Sequence, residues 1–420
     1  MPRTRARKPA QVDLEASELL RIYRLMFLSR RLDDREILLR KRNQVFFQIS
    51  GAGHEAIQIA AGMAMRPGRD WCFLYYRDRA LALTWGITAL DSMLQAVGAE
   101  ADPMSAGRQM PTHWSSNRLH IGPTSSPTGT QFLHAVGAAE AGRYLRQAEL
   151  PGEHEPDEAV LVTTGDGTTS QGEFWESLNT ACQARLPVIY LVEDNGWAIS
   201  EPVEFQTAGG DISRLVSGFP GLELFRVDGC DPVASLAVMR QAVARCRAGE
   251  GPCLVHASVV RPYSHSLSDD QAMYRTAAEL EAERAADPLV TFPAWLLERG
   301  LATEADLADI RAAVDAEVDA VTEQALASPR PPRSSILDHL FAEEGDPGGP
   351  QFDRPPVPGD PGPESMAGLI NKAMADEMAR DPRILVFGED VADAAREATL
   401  AECKGKGGVF KVTYGLQRRG

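Results

Sequence analysis

Between residues 159 and 260, short apolar runs alternate with stretches of helical spacing. Residues 159–163 and 187–192 are unbroken apolar runs too short for helices, so each reads as a strand buried on both faces. Residues 171–184 between them carry a helical pattern. The order then repeats, with a strand at 222–227, a helix opened by Asp231-Pro232 and a strand at 252–260. An aspartate that can accept from the first free N–H groups, followed by proline in the first turn, is a helix start. Strand, helix and strand in this rhythm predict an α/β fold, a parallel sheet with helices on both faces. Long helices are expected to flank it at 14–42, 276–300 and 303–326, and no internal repeat precedes residue 345.

The pattern breaks at residues 345–363, where twelve of nineteen positions are Pro or Gly. Such a stretch holds neither a helix nor a central strand and is read as a linker. Beyond it, Leu369, Ile370, Ala373, Met374 and Met378 fall on one face of a helix over 366–380, Pro382 stops it, and 384–387 reads as a buried strand. So short a piece buries little, so the expectation is an incomplete second α/β domain. The expected division is a tail at 1–14, a first domain at 15–342, a linker at 343–365 and the fragment at 366–420.

Charge narrows the function. The 420 residues carry 43 Lys and Arg against 59 Asp and Glu, a net charge of −16. That balance excludes a nucleic-acid binder, and the one basic run, Arg3, Arg5, Arg7 and Lys8, reads as a solvated tail. Asp13, Glu15, Glu18, Arg21 and Arg24 interrupt the stretch that follows, so it is no secretory signal, and no apolar run is long enough for a membrane span. The six cysteines have no C-x-x-C spacing, which suits reduced thiols and a cytoplasmic location.

The chemistry concentrates in Gly165-Asp166-Gly167-Thr168-Thr169-Ser170-Gln171-Gly172-Glu173 and in Glu193-Asp194-Asn195-Gly196-Trp197. One helix and one returning strand fit between Asp166 and Asn195, so both are expected at carboxyl ends of neighbouring parallel strands, where open α/β sheets bind ligands. A carboxylate, an amide oxygen and a nearby carbonyl are hard ligands suited to Mg²⁺ or Ca²⁺. Gly165 and Gly167 let backbone N–H groups approach a phosphate, and the helix beyond points its positive end there. There is no G-x-G-x-x-G after a strand and no Walker lysine. The reading is a metal-diphosphate cradle.

This GDG…N pattern resembles the thiamine-diphosphate signature. Residues 15–330 resemble the α subunit of the decarboxylating component of 2-oxo acid dehydrogenase complexes. Further motifs carrying the likeness are Gly51-Ala52-Gly53-His54-Glu55-Ala56, Tyr75-Tyr76-Arg77-Asp78, Arg108-Gln109-Met110-Pro111-Thr112-His113-Trp114, Ser125-Ser126-Pro127-Thr128-Gly129-Thr130-Gln131, and the stretch Arg261 to Asp270 around Ser264-His265-Ser266. Residues 366–420, with Phe387-Gly388-Glu389-Asp390-Val391, resemble the start of the β subunit of the same enzyme, so the whole looks like a fused α–β chain cut off early.

The resemblance implies a thiamine-diphosphate-binding fold and oxidative decarboxylation of a 2-oxo acid, with the acyl group passed to a lipoyl group on an acyltransferase component. It implies that Asp166, Asn195 and the carbonyl of Trp197 ligate Mg²⁺, and that Gly167, Thr168, Tyr76 and Arg77 meet the diphosphate. Ser126 and Thr128 would lie at the rest of the cofactor, and Ser125, Pro127, Thr130 and Gln131 match a K⁺ loop, with a plain Ser/Thr/Pro turn as the competing reading. His265 is the expected catalytic residue, near the cofactor, with Arg261 supporting its loop. Ser266 and Ser268 match positions phosphorylated in eukaryotic relatives. His113 faces substrate or is structural. Glu193 stands where animal branched-chain members have arginine, so it either faces away or is compensated by neighbouring donors. The Arg108 to Pro111 segment favours branched-chain 2-oxo acids over pyruvate, the runner-up; the reading from another class is a non-catalytic assembly subunit. A β partner, in a dimer or α2β2-like assembly, is expected to supply the glutamate that activates the cofactor, leaving this chain alone with little or no turnover.

Overall fold

The computed structural model describes residues 14–152, 154–340, 349–350 and 363–419. The basic tail, apart from Leu14, and the linker, apart from 349–350 and 363–365, lie outside the described residues. Two compact units are present, one running through Arg146 and resuming over Gly152–Ser335, the other made of Gln147–Pro151 and Ile336 onward. No described helix is long and apolar enough to cross a membrane.

The first unit is built on six parallel strands: β1 Trp71–Phe73, β2 Ile121–Gly122, β3 Val160–Gly165, β4 Val188–Asp194, and, after a small antiparallel pair of β5 Trp197–Ala198 and β6 Glu201–Pro202, β7 Glu223–Asp228 and β8 Cys253–Ser258. Their order is β2-β1-β3-β4-β8-β7. Alternate residues of each central strand face opposite layers. Leu161, Ile189, Leu191 and Val255 pack with Ile57 and Ala60 of the helix Glu55–Ala64 and with Leu236 and Met239 of Pro232–Arg247. Val160, Val162, Val188 and Tyr190 pack with Phe132 and Ala135 of Thr130–Gln147 and with Phe174 and Leu178 of Gly172–Ala184. Burial on both faces explains the unbroken apolar runs, and each fully buried aliphatic side chain contributes about 1.5–3 kcal/mol. Outside the sheet, Leu28 and Leu32 of Ala16–Lys41 pack on Val314 and Val318 of Glu304–Ala327.

From β1 the chain moves outward to β2, and from β3 it moves the other way to β4. The order therefore reverses between β1 and β3, and the crevice at their carboxyl ends is where such sheets take ligands. The segments leaving β1 and β3 carry Arg77 and Asp166.

Three expectations are corrected. The region 276–300 is two helices, Ala277–Ala286 and Pro288–Glu298, because Asp287-Pro288 starts a new one: the Asp287 carboxylate accepts from Leu289 N at 2.9 Å. Leu14 packs against the core, so the tail ends before it. In the second unit the helix Met366–Arg380 forms, with Ser365 as its cap, but residues 384–387 are no strand. Phe387 is 88% exposed and Leu385 46%: no described residue of this unit forms a strand for the apolar run to pair with. No residue of Met366–Arg380 is buried, so the described part of this unit is not an α/β domain.

Candidate functional site

β3 ends at Gly165, so Asp166 is the first residue past the sheet and opens the 3₁₀ turn Gly167–Ser170. Its side chain is buried, and neither carboxylate oxygen has a hydrogen-bond partner. Burial, and secondly Asp194, push its carboxyl up to about 7. A buried acid with both oxygens orphaned is what a cation site looks like without its cation. The turn is tied down by Gln206, whose Nε2 donates to the carbonyls of Asp166 at 3.3 Å and Gly167 at 3.0 Å. A Cβ on Gly167 would lie 2.8 Å from that of Ala198, so the position has room for glycine only; at Gly165 an added Cβ meets ordinary contacts. Thr168 is buried in the same turn.

Asn195 directly follows β4, next to β3 in the sheet. Gly196 takes φ +78, a turn suited to glycine, and returns the chain to Trp197. Asn195 Oδ1 accepts from Trp197 N at 3.2 Å, while the indole packs under the Arg275 guanidinium, 5.0 Å from its centroid. Among the described residues no group of three or more His, Cys, Asp or Glu could hold a metal, so a cation here would rest on one carboxylate, one amide and main-chain oxygen. That donor set suits Mg²⁺.

Two guanidiniums face this edge. Arg77 is buried, donating from Nη1 to Ser50 O at 2.7 Å and from Nη2 to His265 Nδ1 at 2.8 Å. Arg261 is 1% exposed; its Nη2 reaches Ile199 O and Tyr274 Oη, both at 2.9 Å, but Nε and Nη1 have no partner. Unpaired N–H groups on a buried cation fit an anionic ligand. Tyr76 packs edge-on against His265, with ring centroids 6.1 Å apart.

Because Arg77 donates to Nδ1, His265 carries its proton on Nε2. Burial, then Arg77, then Arg261, draw its pKa down to about 3, so it is neutral. Its loop is braced: Arg261 donates to Tyr274, and Asp269 Oδ2 accepts from Tyr274 Oη at 2.6 Å and His265 N at 2.8 Å. Ser266 and Ser268 hydrogen-bond each other at 3.1 Å.

The segment leaving β2 crosses the same edge, with Thr124 Oγ1 donating to Leu74 O and Gln131 Nε2 to Thr163 O. Here Ser126 Oγ meets His113 Nε2 at 2.7 Å; His113 Nδ1 donates to Pro111 O at 3.1 Å, so Nε2 accepts from Ser126. Thr128 is half-buried in the following turn. In the K⁺-type loop Thr130 Oγ1 donates to Pro127 O at 3.1 Å and Gln131 Oε1 accepts from Gly129 N at 3.0 Å, while Ser125 is half-buried.

Glu193 points into a buried polar cluster, and its Oε1 has no hydrogen-bond partner. It is wholly buried, and its Oε2 meets His54 Nδ1 at 2.7 Å and accepts from Gln58 Nε2 at 2.9 Å and Tyr75 Oη at 3.4 Å. Gln58 also reaches Asp78, and burial pushes both carboxyls up. The sequence assigned no role to His54, Gln58 or Asp78; the motifs at 51–56 and 75–78 contain His54 and Asp78, and nothing in the sequence marked Gln58.

Residues 23–334 match the family described as "Dehydrogenase E1 component". The chain is 37% identical over 330 residues to the 2-oxoisovalerate dehydrogenase subunit alpha of Bacillus subtilis, covering 79% of this chain and 97% of the relative. It is 35% identical over 290 residues to the 3-methyl-2-oxobutanoate dehydrogenase subunit alpha of Mycobacterium tuberculosis, covering 69% and 73%. It is 32% identical over 327 residues to the chloroplastic pyruvate dehydrogenase E1 component subunit alpha-3 of Arabidopsis thaliana, covering 78% and 75%.

Proposed function

The chain belongs to the dehydrogenase E1 component family, and from that membership we propose that it is the α-type half of a thiamine-diphosphate-dependent enzyme that oxidatively decarboxylates branched-chain 2-oxo acids. The acyl group passes to the lipoyl group of an acyltransferase component, and a β subunit or β half completes the site. The observation that carries the reading is the buried Asp166 carboxylate, unpartnered at both oxygens and one strand away from Asn195.

When bound, thiamine diphosphate supplies the electron sink that a 2-oxo acid needs to lose CO₂. Asp166, the Asn195 amide oxygen and the Trp197 carbonyl would hold Mg²⁺, with Gly167 and Thr168 beside the diphosphate. Arg77 and Arg261 would balance its charge, with the Tyr76 hydroxyl as a hydrogen-bond donor; the unpaired N–H groups of Arg261 support this. Ser126 and Thr128 would border the rest of the cofactor. Neutral His265, with Nε2–H free of Arg77, can donate a hydrogen bond to an anion or exchange a proton. The names of the Bacillus subtilis and Mycobacterium tuberculosis relatives, at 37% and 35% identity, favour the branched-chain substrate over pyruvate. Six free cysteines, five of them buried, support a cytoplasmic location.

Residues 366–419 we read as β-type sequence; the exposure of Met366, Leu369, Phe387 and Phe410 supports a need for further structure over them. The test is CO₂ release from labelled 2-oxoisovalerate and from pyruvate by the full-length chain assembled with a β partner. We expect faster release from the branched-chain acid and loss of at least 100-fold in Asp166→Ala. Unchanged turnover in Asp166→Ala would refute the site; faster release from pyruvate would refute the substrate.

A further inference from the structure

We propose that His54 is a positioning residue for Asn195, setting which end of its amide is presented to the cation. The inference rests on the metal site proposed above. Asn195 Oδ1 accepts from Trp197 N at 3.2 Å, and Asn195 Nδ2 lies 3.2 Å from His54 Nε2. The two contacts agree on one orientation, since the reversed amide would set its NH₂ against the Trp197 N–H. Nδ2 must then donate to a bare Nε2, so the His54 proton sits on Nδ1. Glu193 Oε2 receives it at 2.7 Å.

Glu193 is itself held by Gln58 and, more distantly, Tyr75, through the same oxygen. His54, Gln58 and Glu193 are all 0% exposed, so no bulk water can replace a missing partner. Without His54 the amide keeps only the bond from Trp197, and its reversed form, carrying NH₂ where the oxygen was, would repel a cation. Carboxylate, imidazole and ligand in a row are the usual means of orienting a metal ligand, here with an amide at the end of the row. Glu193 thereby fixes the tautomer of His54 and takes no part in holding the diphosphate.

The test is Mn²⁺ binding, read from the electron paramagnetic resonance of the free ion, to the full-length chain assembled with a β partner in the presence of thiamine diphosphate. His54→Leu removes the acceptor. His54→Gln restores it, because the glutamine carbonyl can accept from Asn195 while its NH₂ donates to Glu193. The expected result is Mn²⁺ affinity about 10–100-fold weaker in His54→Leu and recovered to within about threefold in His54→Gln. Wild-type affinity in His54→Leu overturns the proposal, as does an equal loss in both variants. Absence of Mn²⁺ binding in the wild type overturns the metal site instead. Should His54→Leu not fold, ¹⁵N resonance of the wild-type histidines decides: a proton on Nδ1 of His54 upholds the proposal, and a proton on Nε2 overturns it.

Discussion

His265 offers a direct test of the electrostatics at the carboxyl edge of the sheet. Its pKa is drawn down to about 3 by burial first, then by Arg77 and Arg261. Well above pH 6.5 both the folded and unfolded chains hold the imidazole neutral, and His265 contributes nothing to pH dependence. As pH falls through 6.5 the unfolded chain takes up a proton that the folded site refuses, so unfolding gains proton binding and stability falls. From pH 6.5 to 4.5 the unfolded imidazole goes from half to fully protonated while the folded one stays neutral, a difference worth ~2.3 kcal/mol. His265 is only partly buried, so screening reduces this to about 1–2 kcal/mol. The assay is urea denaturation at both pH values on the wild type and His265→Gln, whose difference cancels the other titrating groups. The wild type should lose about 1–2 kcal/mol more than the variant. An added anion such as inorganic diphosphate should counter Arg77 and Arg261, raise the His265 pKa and shrink the difference. Equal losses in wild type and variant, or a His265 resonance titrating near 6.5 in the ligand-free chain, would refute the reasoning.

Two further outcomes follow from packing. Gly167→Ala places a Cβ 2.8 Å from that of Ala198 and should lower stability by about 1–3 kcal/mol, read as a shift of the denaturation midpoint; an unshifted midpoint would mean the turn yields freely. Asp287→Ala removes both the cap of Pro288–Glu298 and the bidentate partner of buried Arg30, whose Nη1 and Nη2 lie 2.8 and 3.1 Å from the carboxylate. It should cost about 3–5 kcal/mol, far above the ~1 kcal/mol of a lost cap alone, and a loss near the smaller figure would show that Glu55 suffices for Arg30.

The sheet and the position of its chemistry were legible in the chain because they depend on local order. Apolar runs buried on both faces have no polar side to show, so 159–163 and 187–192 read as strands, and the residues directly beyond them had to lie at the carboxyl edge. Asp166 and Asn195 sit there. The strands β1 and β2, three and two residues long, were invisible, since so few residues carry no periodicity. Residues 384–387 failed for the opposite reason: an apolar run needs a neighbour to become a strand, and exposed Phe387 has none.

Side-chain partnerships belonged to the folded chain alone. His54 and Glu193 are 139 positions apart, Arg77 and His265 are 188 apart, and no spacing rule links either pair. Glu193's part turned on the direction its side chain takes from β4, into the buried cluster with His54 and Gln58. Short-range periodicity and turn chemistry dictate which elements form, because they depend on neighbours in sequence. The protonation of His265 and the orientation of Asn195 depend on charges and donors that only long-range packing brings within hydrogen-bond distance.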